Sequence, residues 1–243
     1  MISDTFGFRY EVPDVREPIA FHLVIDGMYE PDTLAFIMDR LPTGGVFVDV
    51  GANVGVFTFP ATKRVGPRGR VLAAEASPDL FKYLLRNIAA NNASEVTSFN
   101  CAISDSTGSV PFYPAPREKF GMGSLGAQFS GKPIGIRART LDNVLEEAGI
   151  HHVDVLKVDV EGFEVSVFRG ALKLLTGPRS PFVVFEFCDW AEARVPDGQI
   201  GDAQQFLLDH GYSIYLLRNS LHKRVQLQRP MKRGSAMLVA WRD

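Results

Sequence analysis

The sequence has few cysteines, almost no excess of charge and no long apolar run. Its 243 residues include two cysteines, Cys101 and Cys188, and each lies in a strand-like apolar run, which predicts reduced thiols packed as small hydrophobes. The formal net charge of −2 gives no reason to expect a polyanionic partner. Residues 1–17 lack the apolar segment of a signal peptide, and no stretch reaches the length of a membrane span. We therefore expect a cytoplasmic protein that does not bind a membrane.

The length and the composition are typical of one α/β domain. Hydrophobic residues make up 46% of the chain and charged residues 22%, which suits one sizeable core. We expect a single domain of residues 1–243, in which residues 1–45 form an N-terminal extension or lid and residues 46–243 form the core. Aromatic and aliphatic residues at roughly alternating positions predict extended segments in residues 1–29.

A glycine turn interrupts an apolar run in residues 46–55, which read Val-Phe-Val-Asp-Val-Gly-Ala-Asn-Val-Gly. Helical spacing of apolar residues follows over 54–65, so the pattern predicts a strand, a tight turn and a helix whose first amides favour an anionic group. A dinucleotide fingerprint would need a glycine where Asn53 stands. A ligand that is both an amine and a carboxylate would suit Asp49 and the helix amides together. A purely structural turn is an equal alternative.

Strand-like and helix-like runs alternate along the rest of the chain. Because strands joined by helices form parallel sheets, this pattern predicts an α/β, Rossmann-like sheet of seven strands with helices on both faces. The predicted strands cover 46–49, 70–76, 96–104, 153–160, 182–187, 212–218 and 236–241. The predicted helices cover 30–40, 54–65, 78–92, 140–148, 164–175 and 202–210.

Two further alternating runs, 109–113 and 134–139, are predicted to pair as an accessory antiparallel hairpin. The loop between them, 114–133, is long for a compact domain, and loops of that length are typically functional lids or disordered. Phe120, Met122 and Leu125 have no obvious core to join. We interpret them as candidate substrate contacts, with a structural role as an equal alternative.

Polar residues end five of the predicted strands, at the edge where open parallel sheets bind their ligands. They are Asp49, Glu75, Asn100, Asp159 and Glu186. Glu75 follows the second strand, where an acid can accept hydrogen bonds from ribose hydroxyls. Lys157 shares a strand face with Asp159 and needs a partner in a buried strand, for which Asp159 and Glu186 are the candidates.

These motifs resemble the FkbM-type methyltransferase family, a branch of the S-adenosylmethionine-dependent class with a seven-stranded Rossmann-like fold. The resemblance covers roughly residues 30–215, and its more specific part is the block Lys157-x-Asp159-x-Glu161-Gly162-x-Glu164. The other matching parts are residues 46–58, Glu75 and the Asn-Cys-Ala-Ile-Ser block at 100–104 with Gly108 following. The resemblance implies an O-methyltransferase that acts on a hydroxyl group of a sugar or of a polyketide-like natural product.

The resemblance also implies a set of residues for S-adenosylmethionine. The methionyl end would be held by Asp49, Gly51, Asn53 and Gly55, the ribose by Glu75, and the adenine would lie near Asn100, Cys101 and Ala102. The same set is completed by Glu30, Phe57, Thr58, Ala76 and Asp159.

Acids near the fourth and fifth strand tips are the candidates for catalysis, because a hydroxyl nucleophile must lose its proton. Asp159 is the first candidate as a base or a metal ligand, followed by Glu161 and Glu186, and Asp159 with Glu186 could hold Mg²⁺. The alternative is that these acids pair with Lys157 and cap the next helix. His22 is a further catalytic candidate and Glu30 a candidate site residue, although a packed histidine and a carboxylate at a helix start are the more common roles.

Three rival functions are less favoured by the sequence. A nucleic-acid (RNA ribose) methyltransferase would use the basic segment 221–233, which by default is a solvated hairpin tip. An NAD or nucleotide-sugar enzyme is opposed by Asn53, and a non-enzymatic binding module is opposed by the acids at the strand tips. The expected partner is a small hydroxylated molecule rather than a nucleic acid, and a homodimer is left open.

Overall fold

The computed structural model describes residues 1–129, 131–217 and 225–242. Its strands, in chain order, are β1 (Ile2–Ser3), β2 (Arg9–Tyr10), β3 (Val46–Val50), β4 (Arg70–Glu75), β5 (Val96–Asn100), β6 (Ala102–Ile103), β7 (Gly108–Phe112), β8 (Ile134–Arg139), β9 (Val155–Val158), β10 (Phe182–Cys188), β11 (Ser213–Leu216), β12 (Val225–Gln226) and β13 (Ser235–Trp241). Its helices are α1 (Pro18–Ile25), α2 (Pro31–Arg40), α3 (Thr58–Val65), α4 (Pro78–Ala90), α5 (Leu141–Glu147), α6 (Glu164–Arg169), α7 (Leu172–Thr176), α8 (Asp189–Glu192) and α9 (Asp202–Asp209), with a 3₁₀ helix at Arg117–Met122.

The main sheet confirms the predicted Rossmann-like architecture. In the described residues its strand order is β12-β11-β13-β10-β9-β3-β4-β5. The five strands from β10 to β5 run parallel, whereas β13 is antiparallel to both β10 and β11. This order contains all seven predicted strands and adds β12 at the edge. Two apolar clusters cover the two faces of the sheet, as expected for strands that are buried on both sides.

The accessory hairpin is confirmed, but the predicted third strand is divided. Strands β7 and β8 pair antiparallel, and β6 joins β8 in the same small sheet. The prediction of one strand over 96–104 was therefore wrong: β5 ends at Asn100, whose side-chain amide donates to the backbone oxygen of Glu75 at 2.8 Å. Beyond this point the chain leaves the main sheet for the accessory one.

Helix α1 corrects the prediction of extended structure in residues 18–25. Its start resembles a standard cap, because the buried carboxylate of Glu17 accepts hydrogen bonds from the amides of Ile19 and Ala20, and Pro18 occupies the first turn. The helix after the glycine turn begins at Thr58 instead of residue 54. The helix predicted over 164–175 is divided into α6 and α7.

Three remaining findings concern a short helix, the two cysteines and the search for a membrane-spanning helix among the described residues. The short helix α8 was not predicted from the sequence. Cys101 and Cys188 are both buried with free thiols. Within the described residues, no helix combines the length and the apolar character needed to cross a membrane.

Candidate functional site

A cavity of about 490 Å³ opens over the carboxyl ends of the parallel strands. This volume is within the usual range of small-molecule sites. The cavity brings together most of the residues that the sequence indicated, and these are Glu30, Gly51, Asn53, Phe57, Glu75, Ala76, Cys101, Ala102, Asp159, Glu161 and Glu186. Their meeting follows from the parallel sheet, in which the carboxyl ends of β3, β4, β9 and β10 share one edge.

Gly51 allows the tips of β3 and β9 to touch. Its φ is +79°, and a Cβ at this position would lie 1.9 Å from the backbone oxygen of Asp159. A side chain at Gly51 would therefore be excluded twice, by the backbone angle and by the contact. The turn continues through Asn53, which also has a left-handed φ of 54° and lines the cavity, before α3 begins.

Glu75 organises the wall next to this turn. Its two carboxylate oxygens accept hydrogen bonds from the amides of Asn53 at 2.8 Å and Ser77 at 2.7 Å. The side chain is 6% exposed, and burial raises its pKa to about 7. Each oxygen keeps a further lone pair, so Glu75 can accept hydrogen bonds from a ligand as well.

Asp49 does not reach the cavity, in contrast to the expected contact with a cationic ligand group. The residue is 0% exposed, and its Oδ1 lies 3.6 Å from the Nζ atom of Lys157. Its Oδ2 accepts a hydrogen bond from the Thr58 hydroxyl at 2.7 Å. The cation that Asp49 meets is thus a lysine of the chain itself, which lies opposite Asp49 in the register of β3 and β9.

Lys157 also pairs with Asp159, which was one of its two predicted partners. The Nζ atom lies 3.3 Å from Asp159 Oδ2 and donates to the backbone oxygen of Gly51 at 3.2 Å. It sits 5.0 Å from the centre of the Phe57 ring. Its neighbouring carboxylates raise the pKa of Lys157 above the ordinary value, although burial opposes this, so the residue stays protonated.

Several acids converge beside this lysine. Oxygen atoms of Asp159, Glu161 and Glu186 lie within 4.8 Å of one another. Burial, followed by the charge of Asp159, raises the pKa of Glu186 well above its usual range and that of Glu161 to about 8. Glu30 lies on the same side of the cavity, and burial and Asp159 also raise its pKa. This wall therefore holds more carboxyl groups than Lys157 can pair with, and the raised pKa values of Glu161 and Glu186 favour their protonated forms.

Residues of the long loop and the N-terminal segment complete the cavity. Met122 and Leu125 line it, as do Glu17 and Tyr29. Ser124 links the loop to the turn that carries the acids, because its hydroxyl donates a hydrogen bond to the backbone oxygen of Glu161 at 2.9 Å. The part of the loop that precedes residue 130 is therefore an ordered wall of the site.

The sequence did not indicate several apolar residues of the cavity. They are Leu80, Ile103, Phe112 and Phe163. Ile103 and Phe112 reach the cavity only because the chain leaves the main sheet after Asn100 and forms the accessory one. A break in the third strand would have been the signal, but alternation of apolar residues continues across it.

Five sequence candidates lie elsewhere. The imidazole of His22 is 51% exposed and its Nδ1 is 2.8 Å from Asp26, outside the residues that line the cavity. Asn100, Gly55 and Thr58 support neighbouring elements, since Asn100 bonds β4, Thr58 bonds Asp49 and Gly55 leaves room for the Phe59 ring. Phe120, for which substrate contact and a structural role were equal alternatives, is 5% exposed and packs in the core.

The basic segment 221–233 is only partly described. Residues 221–224, which include the basic residues His222, Lys223 and Arg224 of this segment, lie outside the described residues. Lys232 contacts the backbone oxygen of Ile200, away from the residues that line the cavity. The described part of this segment thus adds no cationic side chain to the site.

Comparisons with known proteins point to one family. The model of the methyltransferase FkbM domain matches residues 49–214. The chain is 32% identical over 161 residues to methyltransferase sdnD of Sordaria araneosa, an alignment that covers 54% of this chain and 62% of that protein. The chain therefore spans less than two thirds of that relative.

Two longer alignments carry more specific names. The hexuronic acid methyltransferase AglP of Haloferax volcanii is 27% identical over 76% of this chain and 73% of its own length. The 31-O-demethyl-FK506 methyltransferase FkbM of Streptomyces tacrolimicus is 28% identical over 81% of this chain and 84% of its own length. Among solved structures, the methyltransferase FkbM of Methylobacillus flagellatus has a TM-score of 0.54 at 18% identity, over 93% of this chain and 50% of that one, which shows a shared fold.

Proposed function

Because the chain belongs to the FkbM methyltransferase family, we propose that it transfers a methyl group from S-adenosylmethionine to a hydroxyl oxygen of a sugar or natural-product molecule. The observation that carries this proposal is the cavity itself, which joins the glycine turn, Glu75 and the group of acids. Two relatives are named for a hexuronic acid and for an O-demethylated natural product, which supports a small hydroxylated acceptor.

The polar groups of the turn fit the cofactor. Among the described residues, Asn53 Oδ1 is buried without a hydrogen-bond partner, so it is available to a donor group on a ligand. Glu75 keeps free lone pairs that suit the ribose hydroxyls. Leu80, Ile103 and Phe112 also line the cavity, and their apolar side chains suit a flat base. When bound, S-adenosylmethionine would supply an electrophilic methyl group.

Catalysis in this proposal depends mainly on alignment of the acceptor, which can account for a large part of a rate enhancement. Asp159 is the proposed base, since it lies at the end of β9, lines the cavity and keeps its orientation through the contact with Lys157. Removal of the acceptor's proton by a positioned base contributes about 10²–10⁴-fold in general. Met122 and Leu125 would cover the acceptor and exclude water.

Calorimetric titration with S-adenosylhomocysteine, with NAD as the control ligand, tests the cofactor assignment. We expect micromolar binding of the first and none of the second. Glu75→Gln should weaken binding by roughly 10- to 100-fold, because hydrogen bonds to a charged acceptor contribute about 1.5–3 kcal/mol. Glu192→Gln is the matched control, since this acid is equally buried but does not line the cavity.

The test has clear contrary outcomes. Binding of NAD without binding of S-adenosylhomocysteine would return the glycine turn to dinucleotide chemistry. Equal affinity of the Glu75→Gln and Glu192→Gln variants would remove Glu75 from the site. If the cofactor binds, hydroxylated acceptors of the proposed kinds, sugars such as uronic acids and natural-product alcohols, are the first to be screened for methylation.

A further inference from the structure

Three carboxylates that line the cavity lie close enough together to act as a set of metal ligands. Asp159 follows β9, Glu161 stands in the turn after it, and Glu186 projects from β10. One oxygen atom from each lies within 4.8 Å of the other two. Such an approach of like charges is costly unless a proton or a cation is shared between them.

Glu186 supplies an independent sign that a partner belongs between these groups. Its Oε2 atom is buried and has no hydrogen-bond partner among the described residues. A buried oxygen of this kind costs free energy unless something occupies the position beside it. Lys157 is engaged by Asp49, by Asp159 and by the backbone oxygen of Gly51, and no described salt bridge joins it to Glu186.

We propose that Asp159, Glu161 and Glu186 bind a small, hard divalent cation of the Mg²⁺ or Mn²⁺ type. Oxygen atoms of carboxylates are the ligands that such ions prefer, and three protein ligands leave positions for water and for one oxygen of an acceptor. The cavity meets the cluster, because all three acids line it. A bound cation would also lower the pKa of an acceptor hydroxyl that contacts it.

The site of the cation can be tested without the reaction. Protein stripped with EDTA is titrated with MnCl₂ and followed by calorimetry and by the electron paramagnetic resonance signal of free Mn²⁺. We expect one site per chain, competition by MgCl₂, and affinity at least 100-fold weaker in Glu186→Gln. Glu118→Gln is the matched control, since Glu118 also lines the cavity but is exposed and outside the cluster.

A second measurement separates loss of the site from loss of the fold. The circular dichroism spectrum of Glu186→Gln should match the parent, and Mn²⁺ should raise the melting temperature of the parent and of Glu118→Gln but not that of Glu186→Gln. Absence of binding by the parent, or equal binding by the two variants, would overturn the proposal. If the protein bound ammonium chloride but neither Mn²⁺ nor Mg²⁺, the proposal would also be overturned, and the three acids would instead be assigned to binding an amine.

The role of the cation in methyl transfer rests on the function proposed above, but its binding does not. S-adenosylhomocysteine should bind Glu186→Gln within about threefold of the parent, because the proposal assigns Glu186 to the cation and not to the cofactor. Mn²⁺ binding without S-adenosylhomocysteine binding would reject the proposed function and keep the metal site. The reverse result would reject the metal site alone.

Discussion

Lys157 joins two carboxylates at the centre of the sheet edge, and its removal is expected to be costly. The Lys157 side chain is 3% exposed, and its Nζ lies 3.6 Å from Asp49 and 3.3 Å from Asp159. Lys157→Met would leave Asp49 buried without its cation. We expect the free energy of unfolding to fall by about 3 kcal/mol, the usual size for a broken buried pair. Urea denaturation in the presence of EDTA measures this change.

Lys132→Met is the control for this prediction. Lys132 is exposed in the long loop, and a substitution at such a position changes stability by about 0.5 kcal/mol or less. If Lys157→Met were no more destabilising than Lys132→Met, the ion pairs of Lys157 would contribute nothing to stability. The proximity of Lys157 to Asp49 would then make no measurable contribution to the free energy of unfolding.

Single residues show where sequence reasoning succeeds and where it stops. The need of Lys157 for an acidic partner was predicted from its buried strand, and Asp159 supplies that partner. Asp49, which was expected to meet a cationic ligand group, is buried and lies directly opposite Lys157 in the pairing of β3 with β9. The sequence identifies both residues, but the register between two parallel strands far apart in the chain is set by packing.

At the scale of elements, the glycine turn after β3 depends on two separate constraints. Gly51 has φ +79°, and a Cβ there would lie 1.9 Å from the Asp159 backbone oxygen. Gly44 has nearly the same φ, +77°, but has nothing within 4 Å of such a Cβ. Gly44→Ala should therefore lower the free energy of unfolding only by the penalty of placing alanine at a left-handed φ, about 1–2 kcal/mol. Gly51→Ala should cost at least about 3 kcal/mol more, because backbone must shift.

Thermal and urea unfolding of the two alanine variants compare these costs directly. The Gly51→Ala variant should also lose binding of S-adenosylhomocysteine, since the turn and the tip of β9 both line the cavity. Gly44→Ala should keep that binding. Equal destabilisation by the two substitutions would show that the backbone at the β9 tip can move at little cost in free energy. The contact with Asp159 would then not determine the conformation of the turn.

Elements were predicted well where their signals are local. Helices α2 and α4 begin where proline and an acid follow a capping position, and β3, β4 and β10 are continuous apolar runs. Helix α1 has a comparable start at Glu17 and Pro18, but aromatic residues nearby suggested an extended segment. The division of the predicted third strand at Asn100 coincides with a hydrogen bond from Asn100 to Glu75, a residue of another strand, and no local signal marks it.

The whole molecule places the candidate site more firmly than any single motif does. Alternation of strands and helices predicted the parallel sheet, and the sheet brings Glu75, Asp159 and Glu186 to one edge. The position of the N-terminal segment over that edge was not predictable in the same way. Tyr29 and Glu17 reach the cavity through long-range packing of residues that carry no periodic pattern.

Buried acids with raised pKa values make the stability of the whole molecule depend on pH. Burial raises the pKa of Glu75 and that of Glu192 from 4.5 to about 7. The folded state therefore holds protons that the unfolded state has already released, and this contribution to stability is full below pH 4.5 and is lost as the pH rises through 7. We expect the free energy of unfolding, measured with urea and EDTA, to fall between pH 5 and pH 8.

Glu192→Gln isolates one part of this dependence at a position away from the cavity. Each pKa unit corresponds to about 1.4 kcal/mol, so the fall between pH 5 and pH 8 should be up to about 3 kcal/mol smaller in Glu192→Gln than in the parent. Glu118→Gln, at an exposed position, should leave the fall unchanged. A parent whose stability rises over this range, or a Glu192→Gln variant with the parent's slope, would show that burial does not keep Glu192 protonated. In that case the carboxyl group of Glu192 would have to be ionised in the folded state, although its buried Oε1 has no hydrogen-bond partner among the described residues.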